Sequence, residues 1–98
     1  KIVLMNNAVL GLVHQQQTLF YGERLFASRF QAMPDFCRAA QALGIAAVDL
    51  DQAVNPCAAL MEAINRPGPC LIHASIDAEQ KVYPMVPPGA ANRDMIGA

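Results

Sequence analysis

A chain of 98 residues, 54% hydrophobic and only 15% charged, has the length of one small domain and a composition that excludes intrinsic disorder. Its seven Lys and Arg residues are scattered through a sequence of net charge −1, so no basic footprint for nucleic acid is present. The apolar runs are too short to cross a bilayer and the N-terminus has no signal-peptide layout, so a soluble cytoplasmic protein, or part of one, is the expectation.

Ile2 to Met5 reads as a buried strand. After the adjacent amides Asn6 and Asn7, residues Val9, Leu12, Val13, Gln16 and Phe20 recur at helical spacing. Between Tyr21 and Ala32 the periodicity dissolves into an irregular connection, with Phe26 and Phe30 expected as its apolar anchors. Pro34 is expected in the first turn of a second helix, with Asp35 at its positive end. Phe36, Ala39, Ala40 and Leu43 would be its buried stripe and Gly44 its stop.

Ile45 to Leu50 predicts a second strand. Asn55 and Pro56 then predict the cap and first position of a third helix that buries Cys57, Leu60, Met61 and Ile64. Arg66-Pro67-Gly68-Pro69 breaks that helix, and Cys70 to Ile76 returns as a strand. Strands alternating with helices over short links predict an α/β fold, a parallel sheet with flanking helices. Beyond Asp77 the prolines at 84, 87 and 88 forbid a continuous helix or central strand, so an extended Pro-rich C-terminal tail is expected.

The chemistry-bearing residues are few. Cys37, Cys57 and Cys70 are odd in number and embedded in apolar sequence, which predicts buried free thiols rather than a disulfide framework or a zinc site. Glu23, Glu62 and Glu79 read as solvated carboxylates, Asp49 and Asp51 as capping groups at a strand end, and His73 as a satisfied strand residue. His14 has no partner at metal-ligand spacing and reads as structural. Asn6 and Asn7 allow two readings. They are turn amides, or they place a neutral hard oxygen where Mg²⁺ and a helix N-terminus could receive a phosphorylated cofactor.

Asn6-Asn7, Leu10-Gly11-Leu12-Val13, Gln15 to Gln17, Leu19-Phe20-Tyr21, Pro34-Asp35-Phe36, Gly68-Pro69 and Val82-Tyr83-Pro84-Met85-Val86-Pro87-Pro88-Gly89-Ala90 occur in the order seen in acetolactate synthase (acetohydroxyacid synthase) large subunits. The chain therefore resembles the C-terminal part of that family's thiamine-diphosphate-binding domain, over essentially its whole length. The resemblance implies thiamine diphosphate and Mg²⁺ as cofactors. Asn7 would give the metal a side-chain oxygen and Val9 a backbone carbonyl, while Gly11 and Leu12 would line the cofactor and Gln16 the substrate pocket. Many members carry Trp at the position of Gln16. The amide places the chain nearest bacterial isozyme-I-like forms and implies weak preference for 2-oxobutanoate over pyruvate as second substrate.

The implied reaction is the decarboxylative condensation of two pyruvates to 2-acetolactate in branched-chain amino-acid synthesis, carried by the cofactor. No Gly-Asp-Gly motif and no match to the family's activating Glu occur in this sequence, so no catalytic residue is expected within it and the isolated chain should be inactive. Parallel strands are normally buried on both faces, and a sheet of about three strands with a few helices would leave much apolar surface uncovered, so a fragment or partial domain is expected. Residues 1–76 would form part of the thiamine-diphosphate domain, and residues 77–98 a tail or lid.

The implied partners are 2-oxo acids, the remainder of the catalytic subunit, a second copy of it, and a regulatory small subunit. FAD would bind a domain absent from this chain. The rival expectation is a free-standing α/β interaction module whose apolar sheet edge is covered by another chain.

Overall fold

The computed structural model describes residues 1–97, and the chain divides into two compact units. Lys1–Asn7 and Ala32–Ile76 form the first, Ala8–Gln31 and Asp77–Ala98 the second.

The first unit is a three-stranded parallel sheet with helices on both faces. Strands β1 (Ile2–Asn6), β2 (Ala46–Asp49) and β3 (Cys70–Ser75) pair in the order β1-β3-β2, so the strand latest in sequence lies in the middle. Leu4 and Asp49 both pair with His73, while Val3 and Val48 both pair with Ile72. Because side chains alternate along a strand, residues 72 and 73 define the two faces. On the face of Ile72, the buried core of Ala63, Cys70 and Ile72 is joined by Ala46, Val48, Leu50 and Leu60. On the face of His73 lies Phe36, whose ring stacks on the imidazole at 6.0 Å between centroids.

Helix α2 (Phe36–Ala42) starts two residues later than its proline suggests. Asp35 is the cap and accepts a hydrogen bond from the Arg38 N–H at 2.8 Å, so Pro34 lies before the cap and not in the first turn. Leu43 is the C-terminal cap residue and is exposed, leaving Ala40 and Phe36 as the inward groups. Gly44, at φ +75°, provides the left-handed turn that ends the helix.

Helix α3 (Pro56–Asn65) begins as expected, with the Asn55 side chain accepting from the Ala58 N–H at 3.0 Å and Pro56 in the first turn. Its buried stripe is different. Ala63 and Leu60 face the sheet, whereas Cys57, Met61 and Ile64 are exposed. In Pro-Cys-Ala-Ala-Leu-Met-Glu-Ala-Ile-Asn nearly every position is apolar, so the pattern fixes no phase, and it is the small Ala63 that packs with Cys70 and Ile72 of β3. Cys70 is thus the buried thiol, Cys37 is half-buried and Cys57 is exposed.

The second unit is organised around helix α1 (Gly11–Phe20). Three of its side chains hold main chain. Gln15, buried, donates from Nε2 to the Val82 carbonyl at 2.9 Å and accepts from the Val82 N–H at 2.8 Å. Gln17 treats Phe26 in the same way, at 2.8 and 3.2 Å. The Thr18 hydroxyl donates to the His14 carbonyl at 2.9 Å. Phe26 and Phe30 are not anchors: their side chains are 82% and 50% exposed, and the Gln17 amide holds the loop instead.

The tail turns back on itself. Met85 and Ile96 pair as an antiparallel bridge, with N–H···O distances of 3.1 and 2.9 Å, around a short 3₁₀ turn at Asn92–Asp94. Gly97, at φ +73°, packs so closely on the Tyr83 ring that a Cβ there would overlap Cδ1. Among the described residues, no helix is long and apolar enough to cross a membrane.

Candidate functional site

Parallel strands place their carboxyl ends on one rim, which is where ligands of open α/β sheets bind. In the first unit this rim carries Asn6 and Asn7 from β1 and the segment after it, Asp49 from β2, Asp51 from the turn that follows, and His73 and Ser75 from β3. Asn7 is half-buried.

Asn6, His73 and Asp49 form one polar line across all three strands. The Asn6 amide nitrogen lies 3.2 Å from His73 Nε2, and His73 Nδ1 lies 3.1 Å from Asp49 Oδ1. An amide nitrogen only donates, so Nε2 is the acceptor and Nδ1 carries the proton toward Asp49. Asp51 extends the line, with Oδ2 at 3.7 Å from the same Nδ1. Asp51 also accepts hydrogen bonds from the Ser75 hydroxyl and main-chain N–H. Those bonds, the hydroxyl's first, hold the Asp51 carboxyl below the usual aspartate range, with the nearby His73 adding a smaller contribution.

Beside this line is a cavity of about 190 Å³ lined by Asn6, Met33, Pro34, Asp35, Phe36, Cys37, Asp49 and His73. The Cys37 thiol there is pushed up, first by burial and then by Asp49 and Asp35. A thiol held protonated in this way is a poor nucleophile.

In the second unit, Val9 is buried and bridges Arg29 in antiparallel sense just before α1, which opens at Gly11. The N-cap residue Leu10 has no side chain able to cap, and its N–H donates to the Ser28 carbonyl at 2.8 Å. Leu12 and Gln16, four residues apart and therefore on one helix face, are both exposed. Gln16 lines an open cavity of about 320 Å³ with Val13, Gln17, Tyr21 and Arg24.

His14 is buried between Ser28 Oγ and Glu79 Oε1, each at 3.3 Å, and the Arg29 guanidinium donates to the same Glu79 oxygen at 2.7 Å. Glu79 is thus partnered, and these contacts, His14's first, lower its carboxyl pKa. The sequence reading missed both the rim line and this cluster. The bonded pairs named here join residues 14 to 67 positions apart, and only the alternation of His73 with Ile72 and Ala74 hinted at a polar group set inside a strand.

Residues 1–74 match the family described as thiamine pyrophosphate enzyme, C-terminal TPP binding domain. The chain belongs to that family. Over 97 residues it is 57% identical to the acetolactate synthase isozyme 1 large subunit of Escherichia coli (strain K12), covering 99% of this chain and 17% of the relative. It is 43% identical over 98 residues to the acetolactate synthase large subunit of Pyropia yezoensis, covering 99% of this chain and again 17% of the relative. The acetolactate synthase isozyme 2 large subunit of Escherichia coli (strain K12) is also 43% identical, over 96 residues, covering 98% of this chain and 18% of its own. The chain thus spans less than a fifth of the length of these relatives. For this thiamine-diphosphate-binding family, the parallel sheet with flanking helices supplies the expected α/β frame.

Proposed function

We propose that the chain supplies the metal-binding turn and one wall of the substrate pocket of an acetolactate synthase large subunit, a thiamine-diphosphate-dependent enzyme that condenses two 2-oxo acids with loss of CO₂. The observation that carries this reading is the 57% identity, sustained over 97 residues, to a large subunit of that name.

The donor chemistry fits. Asn7 offers a carboxamide oxygen at the strand rim and Val9 a main-chain carbonyl, both neutral hard oxygens of the kind Mg²⁺ prefers. Asn7 and Val9 would hold the ion, and Gly11 and Leu12 the cofactor, with the N-terminal N–H groups of α1 favouring its diphosphate. Thiamine diphosphate, when bound, supplies the nucleophilic carbon of the reaction. The chain's own residues bind and orient. Gln16, exposed on α1, presents an amide to the second 2-oxo acid and discriminates weakly against the smaller of two homologous substrates.

In this reading residues 1–76 are part of the cofactor domain and residues 77–98 its closing tail, with the Gln15 amide supporting attachment of the tail at Val82. A further metal ligand, the activating carboxylate, the FAD domain, a second copy of the subunit and a regulatory small subunit would be supplied from outside this chain. The working location would be the cytoplasm.

Asn7→Ala in the full large subunit tests the reading. Mg²⁺ titrated calorimetrically in the presence of thiamine diphosphate should bind at least about tenfold more weakly, since a lost ligand should cost no less than a lost outer-shell partner. Unchanged affinity would remove Asn7 from the metal site.

A further inference from the structure

We propose that His73, its tautomer set by Asp49, is a positioning residue for the metal-binding turn: it fixes the Asn6 side chain, and with it the start of Asn7. The proposal rests on the reading of Asn7 as a Mg²⁺ ligand and assigns a role to groups that this reading leaves idle.

Two of the contacts that hold Asn6 bear on the turn. Its side-chain amide donates to His73 Nε2 at 3.2 Å, and its carbonyl accepts the Ile76 N–H at 2.9 Å. The carbonyl of residue 6 and the N–H of residue 7 belong to one planar peptide group, so an anchored Asn6 carbonyl sets the plane from which the Asn7 side chain departs. The imidazole that makes the side-chain contact is itself held on two sides. Asp49 accepts a hydrogen bond from its Nδ1–H at 3.1 Å, and the Phe36 ring stacks on it at 6.0 Å with 25° between planes. Asp49 thereby selects the tautomer whose Nε2 can accept from Asn6. A metal-ligating group is placed as accurately as the groups behind it; contacts made directly to such a group are worth about 10- to 100-fold in metal affinity, and a contact one residue removed is expected at the lower end.

The two ends of the imidazole can be separated by substitution. In glutamine the terminal amide falls where Nε2 of histidine lies, and in asparagine where Nδ1 lies. His73→Gln therefore retains an acceptor for Asn6 and gives up Asp49, whereas His73→Asn retains the contact to Asp49 and gives up Asn6. The readout is the Mg²⁺ dissociation constant of the full large subunit, measured calorimetrically with thiamine diphosphate present, alongside the Mg²⁺ activation constant and kcat at saturating Mg²⁺.

Positioning through Asn6 predicts about tenfold weaker Mg²⁺ binding in His73→Asn, near-wild-type binding in His73→Gln, and a kcat that recovers when the metal saturates. Equal weakening in both variants, or in neither, would overturn the proposal, because a merely structural histidine does not distinguish its two ring nitrogens in this way. Asn7→Ala is the control that separates the two readings. If it leaves Mg²⁺ affinity unchanged, the assignment of the metal site has failed. If it weakens binding while His73→Asn does not, the positioning role alone has failed.

Discussion

Asp51 shows how a residue with an ordinary local sequence acquires its character from distant chain. Its neighbours suggest a capping group, and Asp49 does cap, accepting the Asp51 N–H at 3.1 Å. The partners of Asp51 itself, however, are Ser75 and His73 from the central strand. Because these hydrogen bonds lower the folded-state pKa, their contribution to stability is complete above the ordinary aspartate value of about 3.9 and is lost as pH falls through the lowered one. Ser75→Ala should raise the Asp51 titration part of the way toward that ordinary value, read from its carboxyl carbon by NMR, because the main-chain N–H of residue 75 still donates to the carboxylate and His73 adds a smaller lowering. An unchanged titration would mean that the Ser75 hydroxyl does not set it. The pairing of residues 49 and 51 with 73 and 75 was hidden from the sequence because a strand declares its alternation and not its neighbours.

Among the elements, those governed by local chemistry were legible and those governed by packing were not. Asn55 before Pro56, and Gly44 after α2, announce helix boundaries because caps satisfy backbone groups within a few residues. The phase of α3 was not announced, since an apolar residue stands at almost every position and the sheet decides which ones are covered. Nor was the use of Gln15 and Gln17 as main-chain clasps. A glutamine on a helix reads as solvated until the segment it holds is known. Gln15→Ala should strip Val82 of both hydrogen bonds, each worth about 1 kcal/mol. Hydrogen exchange at the Val82 amide is expected to accelerate roughly tenfold while amides of β3 keep their protection. Equal acceleration in both places would show a general loss of stability instead of a released tail.

At the scale of the molecule, an α/β parallel sheet follows from alternating strand and helix patterns, and it is what the first unit contains. The strand order β1-β3-β2 and the grouping of Ala8–Gln31 with Asp77–Ala98 depend on contacts between distant segments, which periodicity does not encode. The buried core of the first unit is small, and Ile72, fully buried at the centre of the sheet, is its largest member. Ile72→Ala should cost about 2–5 kcal/mol, a large part of the 5–15 kcal/mol that typically holds a domain together. In the full large subunit, the thermal midpoint followed by far-ultraviolet circular dichroism should fall. An unchanged midpoint would show that contacts outside this core carry the fold.

The central position of β3 also has a bearing on synthesis. A ribosome delivers β1 and β2 first, and neither pairs with the other in the finished sheet; both wait for the strand that will separate them. Until residues 70–75 emerge from the exit tunnel, two apolar strands stand with unpaired edges, the condition under which nascent chains invite wrong pairing or chaperone capture. The rim that gathers Asn6, Asp49 and His73 is complete only when the middle strand has joined both of its neighbours.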